Sequence, residues 1–243
     1  MRKHTTYGFT LVELSIVIVI IALLTAGVMS GKNIVKLSKL QNVIKEIKEI
    51  ETATHSFKDK FKYYPGDFPS ATTYWPSASP AAVNGNGNWQ VPLFSTEDLQ
   101  FWVQLNLASL LPGKYTGAAS AATWHKAGEN CPKSTFPNGG YDAGYHISGV
   151  YGTNGNFMEF GALVGSPNGL YNSSILTSAD AHSIDTKMDD GLASNGNLYT
   201  IRGANSTGSG CVTAASTAAS ASYILTDTAV NCRLWFWFDK NKQ

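Results

Sequence analysis

The sequence predicts an α+β protein: a long N-terminal α-helix, apolar in its first half and amphipathic in its second, packed on an antiparallel β-sheet head. Three observations predict it. Residues 8–24 form an apolar run interrupted by Glu13, and the 18 residues Leu14–Gly31 carry no formal charge. A stripe of Leu37, Leu40, Val43, Ile44, Ile47, Ile50, Phe57 and Phe61 follows at steps of three and four, with one step of seven, and no proline occurs before Pro65. Beyond Tyr115, short apolar segments alternate with Gly and Asn turns.

Eighteen uncharged residues are at the short end of a membrane-spanning helix. A carboxylate inside such a span costs about 3 kcal/mol near the bilayer centre, and less at the end where Glu13 lies. The simplest account is a positive partner close by. Residues 1–7 ahead of the span are short and basic, as in a cytoplasmic leader. Two cleavage sites are open. One is after the apolar run at the small residues Ala26-Gly27; the other is after Gly8. The second leaves Phe9 as a new amino terminus on the helix face of Glu13. A neighbouring chain could then pair its α-amino group with that carboxylate.

The helix should continue past the span. Lys36, Lys39, Lys45, Glu46, Lys48, Glu49 and Glu51 fill the face opposite the stripe. From Phe9 to Phe61 it would extend about 80 Å at 1.5 Å per residue. Gly27, Ser30 and Gly31 weaken it locally, and Gly27-x-x-x-Gly31 fits a common helix-packing pattern. The segment Tyr63-Tyr64-Pro65-Gly66-Asp67-Phe68-Pro69 ends it. Residues 70–90 read as loop. Glu97–Leu111 reads as a second helix, capped by Ser95 or Thr96 and stopped by Pro112-Gly113. Candidate strands are 145–151, 156–164, 197–202, 222–226 and 233–239, the last with aromatics on both faces, under the long helix and under loops. Residues 214–222 are low-complexity Ala/Ser/Thr. The expected organisation is 1–8 leader, 9–31 membrane half of the helix, 32–62 amphipathic half, and 63–243 loop-rich head.

The segment Gly8-Phe9-Thr10-Leu11-Val12-Glu13-Leu14, with its basic leader and apolar span in register, resembles the signal of type IV pilins and type II secretion pseudopilins. The resemblance covers about the first quarter of the chain. It implies cleavage between Gly8 and Phe9 by a prepilin peptidase, N-methylation of Phe9, and a role for Glu13 in subunit assembly. It also implies a long-helix fold, copies of the chain and other pilins as partners, and an inner-membrane platform with a separate ATPase.

Net charge is +1, and removing Arg2 and Lys3 leaves 16 basic against 17 acidic residues, so no bulk field attracts nucleic acid. An exported chain permits disulfides among Cys131, Cys211 and Cys232. Cys211–Cys232 would close 22 residues, worth about 3 kcal/mol, and resembles the C-terminal loop of type IV pilins. Cys131 pairing with either, or three thiols, are the alternatives. Asp180, Asp185, Asp189 and Asp190 form the strongest acidic cluster. Asp185, Asp189 and Asp190 could converge on calcium, as in pseudopilins, although the order is not that of an EF-hand and Lys187 sits among them. The other reading is a solvated turn or a helix end before the turn at Gly191.

His55, His125, His146 and His182 are scattered without metal spacing, and neither a Gly-x-Ser-x-Gly nor a phosphate-loop motif occurs. Asn172-Ser173-Ser174 and Asn205-Ser206-Thr207 match a glycosylation sequon, as chance allows in such a composition. Tyr74, Trp75, Trp89, Trp102 and Trp124 could line a binding surface or, more commonly, serve as core and loop anchors. The sequence therefore points to a non-enzymatic filament subunit: a secretion pseudopilin or a surface pilin. The alternative is a membrane-tethered ligand-binding or enzymatic head.

Overall fold

The computed structural model describes residues 8–119, 124–146, 153–162, 172–206, 210–213 and 220–242. The leader 1–7, most of the expected strand 145–151, the end of 156–164, Thr207 of one sequon and most of the 214–222 stretch lie outside the described residues. The chain divides into two units, Met1–Leu40 and Gln41–Gln243.

One helix, α1 (Leu11–Phe61, 51 residues), forms where the period and the absence of proline predict one from about Phe9 to Phe61. From Leu11 to Leu37 its large apolar residues are exposed all round: Ile16 is 54% and Leu23 70% accessible; Leu40, at 2%, is the first buried one. A helix apolar on every face needs an apolar surrounding, and α1 is long and apolar enough to cross a membrane. It runs unbroken through Gly27, Ser30 and Gly31.

In the second unit α1 becomes one-sided. Val43, Ile47, Ile50, Ala53, Phe57 and Phe61 are buried. Ala53 and Thr54 bridge the step of seven in the sequence stripe, and the buried Thr54 hydroxyl donates to the Ile50 carbonyl (2.8 Å). Lys62 ends the helix at φ 67°, its N–H donating to the Lys58 carbonyl (2.8 Å). Phe57 and Phe61 then meet Phe68 and Trp75 from the segment that follows, with ring centroids 5.0 Å apart for Phe61–Phe68. Within the expected 70–90 loop a short helix, α2 (Ala71–Tyr74), forms.

Helix α3 (Thr96–Leu107) is capped by Ser95, whose hydroxyl accepts from the Glu97 N–H (3.1 Å). It stops short of the expected Leu111. Ser109 turns the chain at φ 60°, and Asn106 Nδ2 donates to the carbonyls of Leu111 and Gly113. Asp180 and Asp185 lie on a further helix, α4 (Ser178–Met188), followed by Gly191 at φ 74°.

The sheet is antiparallel throughout: β1 (Gly139–His146), β2 (Thr153–Ala162), β3 (Leu176–Thr177), β4 (Leu198–Arg202), β5 (Val230–Trp237) and a short β6 (Asn241–Lys242). Strand β5 is central. Leu234 pairs with Phe160 of β2 on one side and Thr200 of β4 on the other, while Cys232 pairs with both Leu176 of β3 and Arg202 of β4. Trp235 and Trp237 pack with Phe157, Tyr199 and Ile201, covered by Leu93 and Ala221. Phe238, just past β5, stacks on Phe101 of α3 with centroids 5.7 Å apart, so a helix other than α1 supplies that contact. The expected strand 222–226 reduces to one bridge between Tyr223 and Val212. Strand β1 was not expected from Gly139 onward. Its glycines are needed: a Cβ on Gly144 would sit 2.4 Å from the Leu93 side chain.

Asp98 of α3 is fully buried. It accepts from Trp124 Nε1 with both oxygens (3.2 Å) and from the Phe94 N–H (2.6 Å). Burial pushes its carboxyl up to about 8 and pushes the adjacent His125 down to about 4. The 3.7 Å approach of His125 to Asp98 is therefore a contact of a neutral imidazole, not an ion pair at neutral pH. The folded state holds the Asp98 proton more tightly than the unfolded chain. That contribution is intact below about pH 4 and is lost as pH rises through 8. His125 acts oppositely, its contribution being lost as pH falls through 4. Asp98→Asn should flatten the loss of stability between about pH 4 and 8 in denaturant titrations; a variant curve parallel to wild type would refute the assignment.

Candidate processing and assembly site

The site begins with the first turn of α1. Thr10 immediately precedes Leu11, and Glu13 stands three residues on. The Thr10 N–H and hydroxyl both donate to Glu13 Oε2 (2.8 Å each), and the Glu13 N–H donates to Thr10 Oγ1 (3.2 Å). This reciprocal arrangement is a capping box. It gives Glu13 a local partner, where the lipid cost alone had suggested only a positive group on another chain. The pattern T-x-x-E was readable in the sequence. Thr10-Leu11-Val12-Glu13 satisfies it without reference to anything else in the fold.

Phe9 is 90% exposed and Gly8 has nothing within 4 Å of a built Cβ. The Gly8–Phe9 bond thus lies outside the helix, next to its capped end. The acidic first turn also complements the positive end of the helix dipole.

The remaining sequence candidates lie in the second unit. Cys211 and Cys232 are joined by a disulfide, and Cys131 is buried elsewhere. The bridge ties the segment before β5 to β5 itself. Tyr223, inside the closed segment, donates its hydroxyl to Asp185 Oδ2 (2.7 Å) and lies 2.8 Å from the Thr200 hydroxyl. These contacts dock the segment on α4 and β4.

Asp185, Asp189 and Asp190 come together, each offering one oxygen within 4.8 Å of the others. Three carboxylates at that spacing are the donor type calcium takes. They already close the turn after α4. Asp189 Oδ2 accepts from the N–H groups of Asn197 and Leu198, while Asp190 accepts from the Leu192 N–H (2.8 Å) and Asn195 Nδ2 (2.7 Å). Burial and then the Asp190 and Asp189 charges raise the Asp185 carboxyl to about 6, against the Tyr223 bond that lowers it. The cluster thus sits at a helix end followed by a glycine turn. Asp180 instead bonds back to the Thr177 cap of α4.

The aromatic candidates separate. Trp102 is fully buried, Trp75 and Trp124 are half-buried, and only Tyr74 (53%) and Trp89 (48%) are exposed among them. Asn172-Ser173-Ser174 has both serines buried. The residue the sequence reading missed is Glu46. It was placed on the solvated helix face, yet it accepts four hydrogen bonds from Ser134, Thr135 and Tyr141.

In comparisons with known proteins, no curated protein and no solved structure matches the chain. A family description does match: residues 4–29 fit the prokaryotic N-terminal methylation motif. Gly8, Phe9, the Thr10–Glu13 capping box and the exposed apolar residues of α1 from Leu11 to Met29 fall inside it, and the chain carries the prepilin-type signal of type IV pilins and pseudopilins.

Proposed function

We propose that this chain is a structural subunit of a type IV pilus-like filament or pseudopilus. Prepilin peptidase removes residues 1–8 and methylates the new amino terminus at Phe9. Residues 9–31 anchor the subunit in the inner membrane, 32–62 carry the chain out of it, and 63–243 form a head in the periplasm. Other pilins, an assembly platform and its separate ATPase complete the machine. The filament serves type II secretion or a surface pilus.

The observation that carries this reading is the coincidence of the methylation motif with the first part of α1, where the apolar faces are exposed all round. Such a surface is stable in lipid or against copies of itself. Leaving lipid for a filament keeps it dry, and burial at about 25 cal/mol per Å² favours the packed state over water. The Glu13 carboxylate has a second oxygen, besides the one bonded by Thr10, for the amino group of a neighbour's Phe9.

Two substitutions test this. Gly8→Ala should abolish processing, seen as retention of the full precursor mass; mature-sized protein in that variant would refute the cleavage site. Glu13→Leu should leave processing intact and remove filaments, because an uncharged side chain has no attraction for the incoming amino group. Filaments at wild-type level would refute the role of Glu13.

A further inference from the structure

Two acidic side chains of the head converge on the turn Asn84-Gly85-Asn86-Gly87-Asn88. Asp67, fully buried just after α1, lies beneath it. Its Oδ1 accepts from the N–H groups of Gly87 (2.7 Å) and Asn88 (3.1 Å), and its Oδ2 from Trp89 (2.8 Å). Glu97 reaches the same turn from the first turn of α3. Its Oε1 accepts from the Asn86 N–H (2.8 Å).

The other oxygen is the anomaly. Glu97 is 9% exposed, and its Oε2 is buried with no hydrogen-bond partner. A buried carboxylate oxygen left without a donor is costly. A second acid, Asp67, acts on it, and among the described residues no ion pair reaches either group. Burial raises both carboxyls. Two interacting acids, one of them with a buried oxygen that no donor reaches, call for a positive charge.

The turn carries oxygens suited to one. Asn86 Oδ1 accepts from the Asn88 N–H and Asn88 Oδ1 from the Gln90 N–H (2.9 Å each). Each amide oxygen has a second lone pair to give. Close seating of the turn depends on Gly85, where a Cβ would fall 2.3 Å from the Asp67 backbone. Carboxylate, amide and carbonyl oxygens are the ligand set of a hard divalent cation, and a flexible set of this kind suits calcium better than magnesium.

We propose that Glu97 Oε2, together with oxygens of the Asn84–Asn88 turn, binds a calcium ion that fastens this turn to α3. The site is distinct from the acids after α4. It stands or falls independently of filament assembly.

The test uses the full-length protein in detergent micelles, melted in chelator and in millimolar calcium. Terbium luminescence excited through tryptophan is the second readout, since Trp89 adjoins the turn. Calcium should raise the melting temperature by about 5 °C or more. The rise and the terbium signal should vanish in Glu97→Gln and persist in Asp189→Asn. Asn86→Ala, at an exposed position, should weaken terbium binding about tenfold, which keeps the test decisive if Glu97→Gln fails to fold. No calcium response in wild type would overturn the proposal. So would a response that survives Glu97→Gln, one lost in Asp189→Asn, or unchanged terbium affinity in Asn86→Ala. Stabilisation by Glu97→Gln in chelator without any calcium response would mean that Glu97 carries only a proton, and would also overturn it.

Discussion

Arg233→Met should destabilise the head by about 3–5 kcal/mol, the usual cost of stripping one partner from a buried ion pair. Arg233 lies on β5 and pairs with Glu159 of β2, whose side chain is 2% exposed against 15% for Arg233. Its Nε donates to the Arg202 carbonyl of β4 (3.0 Å), and its guanidinium lies 5.4 Å from the Trp235 ring centroid. Directly across from Glu159 in the β1–β2 register stands Asp142, also fully buried. Like charges facing each other across a ladder repel, and Arg233 compensates both. Burial lowers its guanidinium to about 10, which leaves it charged, with the Asp142 charge holding it up. Methionine keeps the volume of the stem and removes the charge. The double variant Glu159→Met/Arg233→Met should recover much of the loss, because an apolar pair of similar volume often replaces a buried ion pair at little cost. Denaturant titration of the micellar protein measures both. A single-variant loss below about 1 kcal/mol would show that the pair is dispensable.

Glu46→Ala should cost about 3 kcal/mol and loosen the head's part of α1. One carboxylate there gathers the hydroxyls of Ser134 (2.6 Å), Thr135 (2.6 Å) and Tyr141 (2.7 Å) and the Thr135 N–H (2.9 Å). Tyr141 of β1 is 1% exposed and Ser134 4%, so neither hydroxyl can turn to water once the acceptor is gone. Burial, and then the Glu46 charge, keep the Tyr141 hydroxyl protonated as a donor. Glu46→Gln retains an acceptor oxygen and should cost less than half as much. Hydrogen exchange over residues 41–61 provides a local readout. Unchanged protection there in Glu46→Ala would show that the apolar stripe alone holds the helix.

The helices and the sheet differ in how far they could be read from sequence. α1 and the Ser95 cap of α3 rest on spacing and on side chains one turn apart, so both were legible. The Thr10–Glu13 capping box was equally local. The lipid cost of Glu13 points to a partner on another chain, but Thr10, one turn away, already donates to it twice. Strand β1 escaped because Gly139, Gly140 and Gly144 erase the alternating pattern, while β2 and β4 keep enough of it to be seen. The segment around Tyr223 looked like a strand by composition. In the fold its hydroxyl is held by Asp185 and Thr200, 38 and 23 residues away, and the backbone makes a single bridge.

By itself, the amino-acid order determined the long helix, its lipid-compatible half and the processing signal, because helical period, capping and a short motif are properties of neighbours in the chain. Only the tertiary structure decided which acids are structural. Glu46 meets partners 88 to 95 residues away, Asp67 organises a turn about 20 residues downstream, and Glu159 finds Arg233 on the neighbouring strand. A charged side chain looks the same in sequence whether it faces water or a buried donor. Its cost or benefit appears only when distant segments remove the water around it.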